Sequence, residues 1–489
     1  AQHLPTDSAD ASGQRNFVTT IRTVLSMIIP LITFPYIARV LSVDEIGQFN
    51  FSNSVVSYFL LVAGLGISTY AIREGAKIRD CQEKINKFSS EMYFINFIST
   101  IVSYIAMAIS LIVVPKFTGY RTLILILSVS IFLNCFGRQW IFNIYEDFTT
   151  ITVLQIVFQI ISIIFLFLFV RSEGDVNIYA MVCLFSSSGP FVLYGILSKK
   201  YVSVKLKYVH LKNLIKHIKP ISIIFGMAIA STIYINSDIT IIGFLKNDYE
   251  VGIYSTAVKI YNIVKQVLVA VITVTIPRLT LYAGTEKYKC LFKKVFDSLV
   301  TITIPAVVGL FMLSKEAIQI VAGNQYIAAT SELKILCIAI VCALFANLFG
   351  TCVLLPYDKE IIFLNATIAS AVINIGLNFL LIPKWGGMAA AFTTALSQII
   401  VLIIHYHYSK DFVDIRQSIR CIVNSCLGAG VIILICLIVD NFIHSLYLKV
   451  MISIFVSMVG YIIIEILLKN YVVKELILSI KNKIKFGRY

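Results

Sequence analysis

Charge is scarce in this chain. Asp, Glu, Lys and Arg make up 14% of its 489 residues, against about 25% in an ordinary soluble domain. A water-facing surface for a protein of this size cannot be built from so few charges, which excludes a soluble enzyme, a disordered chain and a fibrous protein. The ten cysteines include no Cys-x-x-Cys pair and no Cys/His cluster with zinc spacing, so neither a metal site nor a disulfide framework is expected. They read instead as small apolar packers in helices, with Cys81 and Cys290 as reduced loop thiols. Paired carboxylates, a nucleophile triad and a phosphate loop are missing as well, and no catalytic residue is assigned. Long connections are also absent, which leaves no room between the apolar runs for a separate folded domain.

What the sequence has in quantity is apolar length. Hydrophobic residues form 58% of it, and the mean hydropathy is +0.88. A bilayer-crossing helix needs about 20 mostly apolar residues. Fourteen stretches qualify, at about 16–41, 49–70, 89–113, 120–142, 148–171, 176–198, 215–243, 251–276, 295–314, 330–354, 360–382, 386–408, 418–440 and 447–468. The runs are continuous rather than alternating, which excludes a membrane β-barrel. The expected fold is an all-α polytopic membrane protein with 14 transmembrane helices. Residues 1–15 are set aside as a polar tail or cloning remnant.

The basic residues set the orientation. With the N-terminus on the cytoplasmic side, inner segments hold 29 Lys and Arg, outer loops hold seven, and five lie within the spans. Such a bias predicts both termini inside. It also accounts for most of the net charge of +15, so nucleic acid is not expected as a partner. Trp140 and Trp385 fall at interfacial depths on this map, where an indole N–H stays wet.

A repeat is visible. Glu45-Ile46-Gly47-Gln48-Phe49-Asn50 opens span 2, and Glu250-Val251-Gly252-Ile253-Tyr254-Ser255 opens span 8; Arg73 and Arg278 each follow the motif glycine by 26 residues. Six spans separate the copies, so they share orientation, as in parallel-repeat transporters. The predicted organisation is a six-helix lobe over 16–198 (spans 1–6), a basic cytoplasmic linker over 199–219, and a second six-helix lobe over 220–409 (spans 7–12, span 7 starting near 215). Spans 13–14 and a basic tail fill 410–489.

Ionisable groups at membrane depth cost about 2.5–3.5 kcal/mol each and are functional hypotheses by default. In span 8, Ser255, Lys259, Asn262 and Gln266 share one stripe at helical spacing, with Tyr254, Tyr261 and Lys265 on the adjoining one. Such a face cannot be offered to lipid; it lines an aqueous cavity or a polar interhelical seam. Asp238 in span 7 is either a structural partner for Lys259 or a carboxylate that couples transport to an ion. Arg22 in span 1 either faces the cavity or snorkels. Pro30 and Pro35 are a gate or a static kink. The amides of span 11, Asn374 and Asn378, read as glue between helices or as sugar-binding groups. The excess of cations at depth suits an anionic substrate.

Pro35 to Asn50 and Asp238 to Leu279 resemble the most recognisable stretches of the polysaccharide repeat-unit (O-antigen, Wzx-type) flippases of the multidrug/oligosaccharidyl-lipid/polysaccharide exporter superfamily. Trp140 to Phe148 and Leu380 to Ala391 are similar to two of that family's loops. Arg39, Gly47, Asp238, Gly252, Tyr254, Lys259 and Arg278 fall at its signature positions. The resemblance implies two pseudo-symmetric six-helix bundles plus two helices. It implies transfer of an undecaprenyl-diphosphate-linked oligosaccharide to the outer leaflet of a bacterial inner membrane for O-antigen or capsule assembly. Alternating access around a cationic cavity would be coupled to a proton or sodium gradient, with no cofactor. Membrane lipids and the glycan polymerase machinery are the expected partners. A lipid II flippase, another polysaccharide exporter and a drug antiporter are alternatives within the superfamily. A membrane glycan polymerase or ligase is the alternative of another class; the longest outer connection, 315–329, opposes it because Lys315 and Glu316 are its only ionisable groups.

Overall fold

The structure, a computed structural model, describes residues 29–475 apart from position 210, together with residue 478. Every regular element among them is helical. They are α1 (Ile29–Val40), α2 (Val43–Gly64), α3 (Ile67–Gly75), α4 (Gln82–Val113), α5 (Arg121–Gly137), α6 (Trp140–Ile144), α7 (Phe148–Phe169), α8 (Val176–Ser188) and α9 (Pro190–Leu197). There follow α10 (Leu211–Leu245), α11 (Asp248–Leu281), α12 (Glu286–Met312), α13 (Ser314–Val321), α14 (Ala329–Phe349), α15 (Glu360–Ser409), α16 (Ile419–Phe442) and α17 (Leu446–Leu467). Twelve helical segments among the described residues are long and apolar enough to cross a bilayer. The chain divides into two compact units, Ala1–Gly252 and Ile253–Tyr489.

The helices are inside-out relative to those of a soluble bundle. On α4, Ile101, Ile105, Ile109 and Ile112 are 44–80% exposed. Its inward face carries small polar groups: Asn96 Nδ2 and Ser99 Oγ donate to Ala63 O at 2.8 and 2.5 Å, and Ser103 Oγ donates to Phe59 O at 2.6 Å. Lipid is as apolar as Leu, so close packing and interhelical hydrogen bonds hold α4 to α2 rather than burial of oil from water.

Local chemistry fixes where helices begin and turn. Ser42 caps α2 in a reciprocal box: its Oγ accepts from Glu45 N at 3.3 Å, and Glu45 Oε2 accepts from Ser42 N at 2.8 Å. This device, worth about 1 kcal/mol, starts α2 at Val43, earlier than the apolar run suggests. At the other end Leu65 and Gly66 take φ of 45° and 73°, and the chain enters α3. The fifty residues of α15 would reach about 75 Å if straight. They do not run straight. Gly386 has φ 57° and ψ −136°, and Asn374 and Asn378 both meet Thr393, at 3.3 and 2.5 Å, while Ser397 Oγ donates to Ser370 O at 3.4 Å. These pairings close a hairpin about the predicted turn between spans 11 and 12. Buried Asn374 and Asn378 act there as glue. Trp385 at the turn is 61% exposed, as an interfacial indole requires.

Some expectations change. Trp140 is buried in a cluster with Ile67, Tyr70, Ile85 and Met92, so its indole is packed inside the first unit and not wet as expected. Cys290 lies within α12, and Cys426 joins Cys81 and Cys290 as an exposed thiol. Residues 198–200 and 206–208 of the predicted linker form 3₁₀ turns, and α10 begins at Leu211 and carries Pro220 inside it. Span 1 is described only over α1, so the count of fourteen rests on residues beyond those described.

Orientation is open to test. With the exposed thiols Cys81, Cys290 and Cys426 replaced, an impermeant thiol reagent applied to spheroplasts should label Lys315→Cys and spare Lys205→Cys and Lys289→Cys. Labelling at 205 or 289 would overturn the topology.

Candidate functional site

The polar face of α11 is present as a helix surface. Tyr254 and Ser255 are buried, Lys259, Asn262 and Lys265 are half-buried, and Gln266 is exposed. Lys265 Nζ lies 3.4 Å from Tyr261 Oη and 4.8 Å from the centroid of its ring. The ring thus braces the ammonium by a cation–π contact and fixes where the charge sits on the helix. Lysine and amide side chains one turn apart can accept a phosphate or a sugar hydroxyl by charge and by hydrogen bond together.

In the first unit, α10 presents Asp238 half-buried beside buried Ser237. Thr240 anchors this stretch to α2: its Oγ1 lies 3.1 Å from both Ser54 Oγ and Tyr58 Oη. α1 stays helical from Ile29 through Val40 with Pro30 and Pro35 within it. The Arg39 guanidinium donates to Pro35 O at 2.5 Å. Arg22 lies outside the described residues.

Sequence reading missed what the repeated motif does. A Cβ on Gly47 would stand 1.9 Å from Asp248 O, and a Cβ on Gly252 would stand 2.2 Å from Val43 O. Val43 precedes Gly47 by four residues, and Asp248 precedes Gly252 by four. The first turns of α2 and α11 therefore cross reciprocally, each motif glycine against the carbonyl one turn before the other. Polar contacts brace the crossing: Tyr120 Oη donates to Asp248 Oδ1, Lys116 Nζ donates to Lys246 O at 3.3 Å, and Gly174 N donates to Glu45 Oε1 at 2.6 Å. Both glycines hold the same place in the repeated motif, and that was the signal available in the sequence.

The opposite end of the first unit is clasped by its loops. Arg79 donates to Ile144 O at 3.0 Å and pairs with Glu146 at 2.9 Å. Tyr201 Oη donates to Asp147 Oδ2 at 2.7 Å, and Gln82 Nε2 donates to Tyr201 O at 2.9 Å. A further chain runs from Tyr70 Oη to His217 Nδ1 at 2.8 Å and from His217 Nε2 to Glu91 Oε2 at 3.3 Å, with Asn213 Nδ2 donating to Glu91 Oε1 at 3.1 Å. Nothing in the hydropathy pattern singles out Glu91 or His217, because each sits among other polar residues near a span end. Burial alone would raise the Asp147 carboxyl; hydrogen bonds from Thr150 and Tyr201 outweigh it and hold the group below the usual carboxylate range. Burial, then the bond to Asp147, pushes Tyr201 up to about 12. A depressed carboxylate stabilises the fold above its unfolded pKa, about 3.9, and that contribution is lost as pH falls through the folded value. The thermal-stability gap between wild type and Asp147→Asn should therefore be constant from neutral pH to about pH 4 and shrink below it.

A bundle of long apolar helices with buried small polar seams and a polar, cationic helix face is the build of a multi-pass membrane transporter. The family described as polysaccharide biosynthesis protein matches residues 12–282, and the chain belongs to that family, which confirms the repeat-unit flippase resemblance. It is 22% identical over 380 residues to an Escherichia coli (strain K12) protein named as an O-antigen transporter, covering 76% of this chain and 91% of that one. Over 202 residues it is 29% identical to a Haloferax volcanii protein, Agl15, named as a flippase of low-salt glycan biosynthesis, covering 40% of this chain and 43% of the relative. Among solved structures, the lipid II flippase MurJ in an inward closed conformation superposes with a TM-score of 0.75 at 17% identity, over 93% of this chain and all of that one. The protein is a transporter and not an enzyme, and its fold is that of the MurJ structure.

Proposed function

We propose that this protein flips an undecaprenyl-diphosphate-linked oligosaccharide repeat unit from the cytoplasmic to the outer leaflet of a bacterial inner membrane, for O-antigen or capsule assembly. The observation that carries the reading is the α11 face of Lys259, Asn262, Lys265 and Gln266, a cationic and amide-bearing surface within a glycan-exporter family. The diphosphate supplies the charge that the lysines attract, and the sugars supply hydroxyls for the amides. The names of the glycan-handling relatives support this substrate over a drug or lipid II. In this reading two six-helix lobes expose the cavity to each side in turn. Arg22 adds a cation to it, Pro30 and Pro35 let α1 bend, and Asp238 pairs with Lys259 or takes up a proton or sodium ion that drives the cycle. Both termini face the cytoplasm, and the glycan polymerase receives the product.

Deletion of the gene in its host should leave lipid-linked repeat units accumulated on the cytoplasmic leaflet, with lipid II export unaffected. Restoration by the cloned gene completes the test. Normal surface glycan in the deletion strain, with lipid II export lost, would overturn the substrate.

A further inference from the structure

In the second unit, at the end of α12, α16 and α17 that the Lys/Arg distribution assigns to the cytoplasm, the side chains enclose a cavity of about 220 Å³. Lys293, Arg420 and Lys469 line it together with Asp297, Asn424 and Tyr471. Asp297 is fully buried. Its Oδ2 accepts from Lys293 Nζ at 3.1 Å and from Tyr471 Oη at 2.5 Å, while its Oδ1 has no hydrogen-bond partner among the described residues. The side chains of Arg420 and Lys469 are exposed, and among the described residues neither has a hydrogen-bond or ion-pair partner.

Lys469 stands where glycine is usual. It follows α17 with φ 56°, and the helix closes over it with Asn470 N donating to Glu465 O at 2.9 Å and Lys469 N donating to Ile466 O at 3.0 Å. That left-handed position favours glycine on steric grounds. A lysine held there places a cation on the cavity rim at a conformational cost. Beside Arg420, α16 presents Ile419, Val423 and Leu427 along one face, each 49–55% exposed. That face suits acyl chains.

We propose that this cavity binds the head group of a membrane glycerophospholipid whose phosphate is joined to a hydrogen-bond donor, as in phosphatidylethanolamine or phosphatidylglycerol. The phosphate sits among Arg420, Lys469 and Lys293, the ammonium or hydroxyl answers the unpartnered oxygen of buried Asp297 in the cavity wall, and the acyl chains follow the α16 face. Basic pockets between transmembrane helices on the cytoplasmic side bind anionic head groups in this way. A choline head group has no donor for Asp297 and is excluded. The site is separate from the α11 face and independent of which glycan is carried.

Native mass spectrometry of the full chain in detergent, incubated in turn with phosphatidylethanolamine, phosphatidylglycerol, phosphatidylcholine and inorganic phosphate, tests the proposal. Wild type should retain the first two and neither of the others. Arg420→Gln should lower retention roughly fivefold to tenfold, as expected for loss of one cation near the membrane surface. Lys469→Gly should lower it similarly while raising lipid-free thermal stability, because glycine relieves the left-handed position. Lys287→Gln with Lys289→Gln, exposed charges outside the cavity, should leave retention intact. Equal retention of phosphatidylcholine or of inorganic phosphate, or unchanged retention in a stabilised Lys469→Gly protein, would each overturn it.

Discussion

Gly252→Ala should cut glycan export at least tenfold while the protein still inserts into the membrane at its normal level, and Gly47→Ala should do the same. The added methyl would lie 2.2 Å from Val43 O in the first case and 1.9 Å from Asp248 O in the second. Both neighbours are backbone atoms in capped or braced first turns, so neither can rotate away as a side chain would. Overpacking of this kind costs about 1–3 kcal/mol. If the crossing exists in only one state of the transport cycle, that cost acts on a conformational equilibrium, and each 1.4 kcal/mol shifts it about tenfold. A reporter distinguishes this from simple damage. Ser54 on α2 is 1% exposed, so a cysteine there should react slowly with an external reagent in the wild type and faster in either alanine variant. Export lost with unchanged reactivity at position 54, or protein lost from the membrane, would mean that the crossing is static structure. Combining the two substitutions should cost less than the sum of both, because the first already separates the turns that the second would push apart.

How far the sequence discloses this molecule can be judged residue by residue. The spans were legible because a bilayer demands about 20 apolar residues regardless of neighbours, and even the hairpin within α15 announced itself through Pro383, Lys384, Trp385 and Gly386. Helix starts were less legible: α2 begins at a capping box outside the apolar run. The fate of Trp140 was hidden because interfacial depth does not tell whether a side chain points toward lipid or toward Ile67 and Met92. The repeat is visible in the sequence only as a motif, whereas the structure makes of it a contact between residues two hundred positions apart. Likewise the Tyr70–His217–Glu91 chain draws on three helices, and no local period encodes it. Periodicity reports what a segment does with its surroundings; which two segments become each other's surroundings is a property of the fold.

Lys265→Ala should lower export about tenfold or more with the protein still folded, and Lys265→Arg should keep part of the activity. The ammonium is half-buried and lies 4.8 Å from the centroid of the Tyr261 ring, so the helix holds it in one direction without neutralising it. An aromatic face attracts a cation by about 1–2 kcal/mol when water is excluded and leaves its charge free to act on an incoming anion. Arginine preserves that charge but spreads it over a planar fork with different reach, which is why partial activity is expected rather than full. Tyr261→Phe supplies the control. It removes the hydroxyl that accepts from Lys265 Nζ at 3.4 Å and retains the ring, so export should fall by no more than a few-fold. The readout that separates substrate attraction from stability is the dependence on ionic strength: a long-range attraction weakens as salt rises, since the screening length falls to about 8 Å at physiological ionic strength, whereas packing does not respond. In proteoliposomes, wild-type transport of the diphosphate-linked glycan should decline with added salt, and Lys265→Ala transport should be both slower and flatter in that profile. Parallel salt profiles for wild type and Lys265→Ala would assign the lysine to a structural seam and leave Lys259 and Asn262 as the groups that meet the substrate.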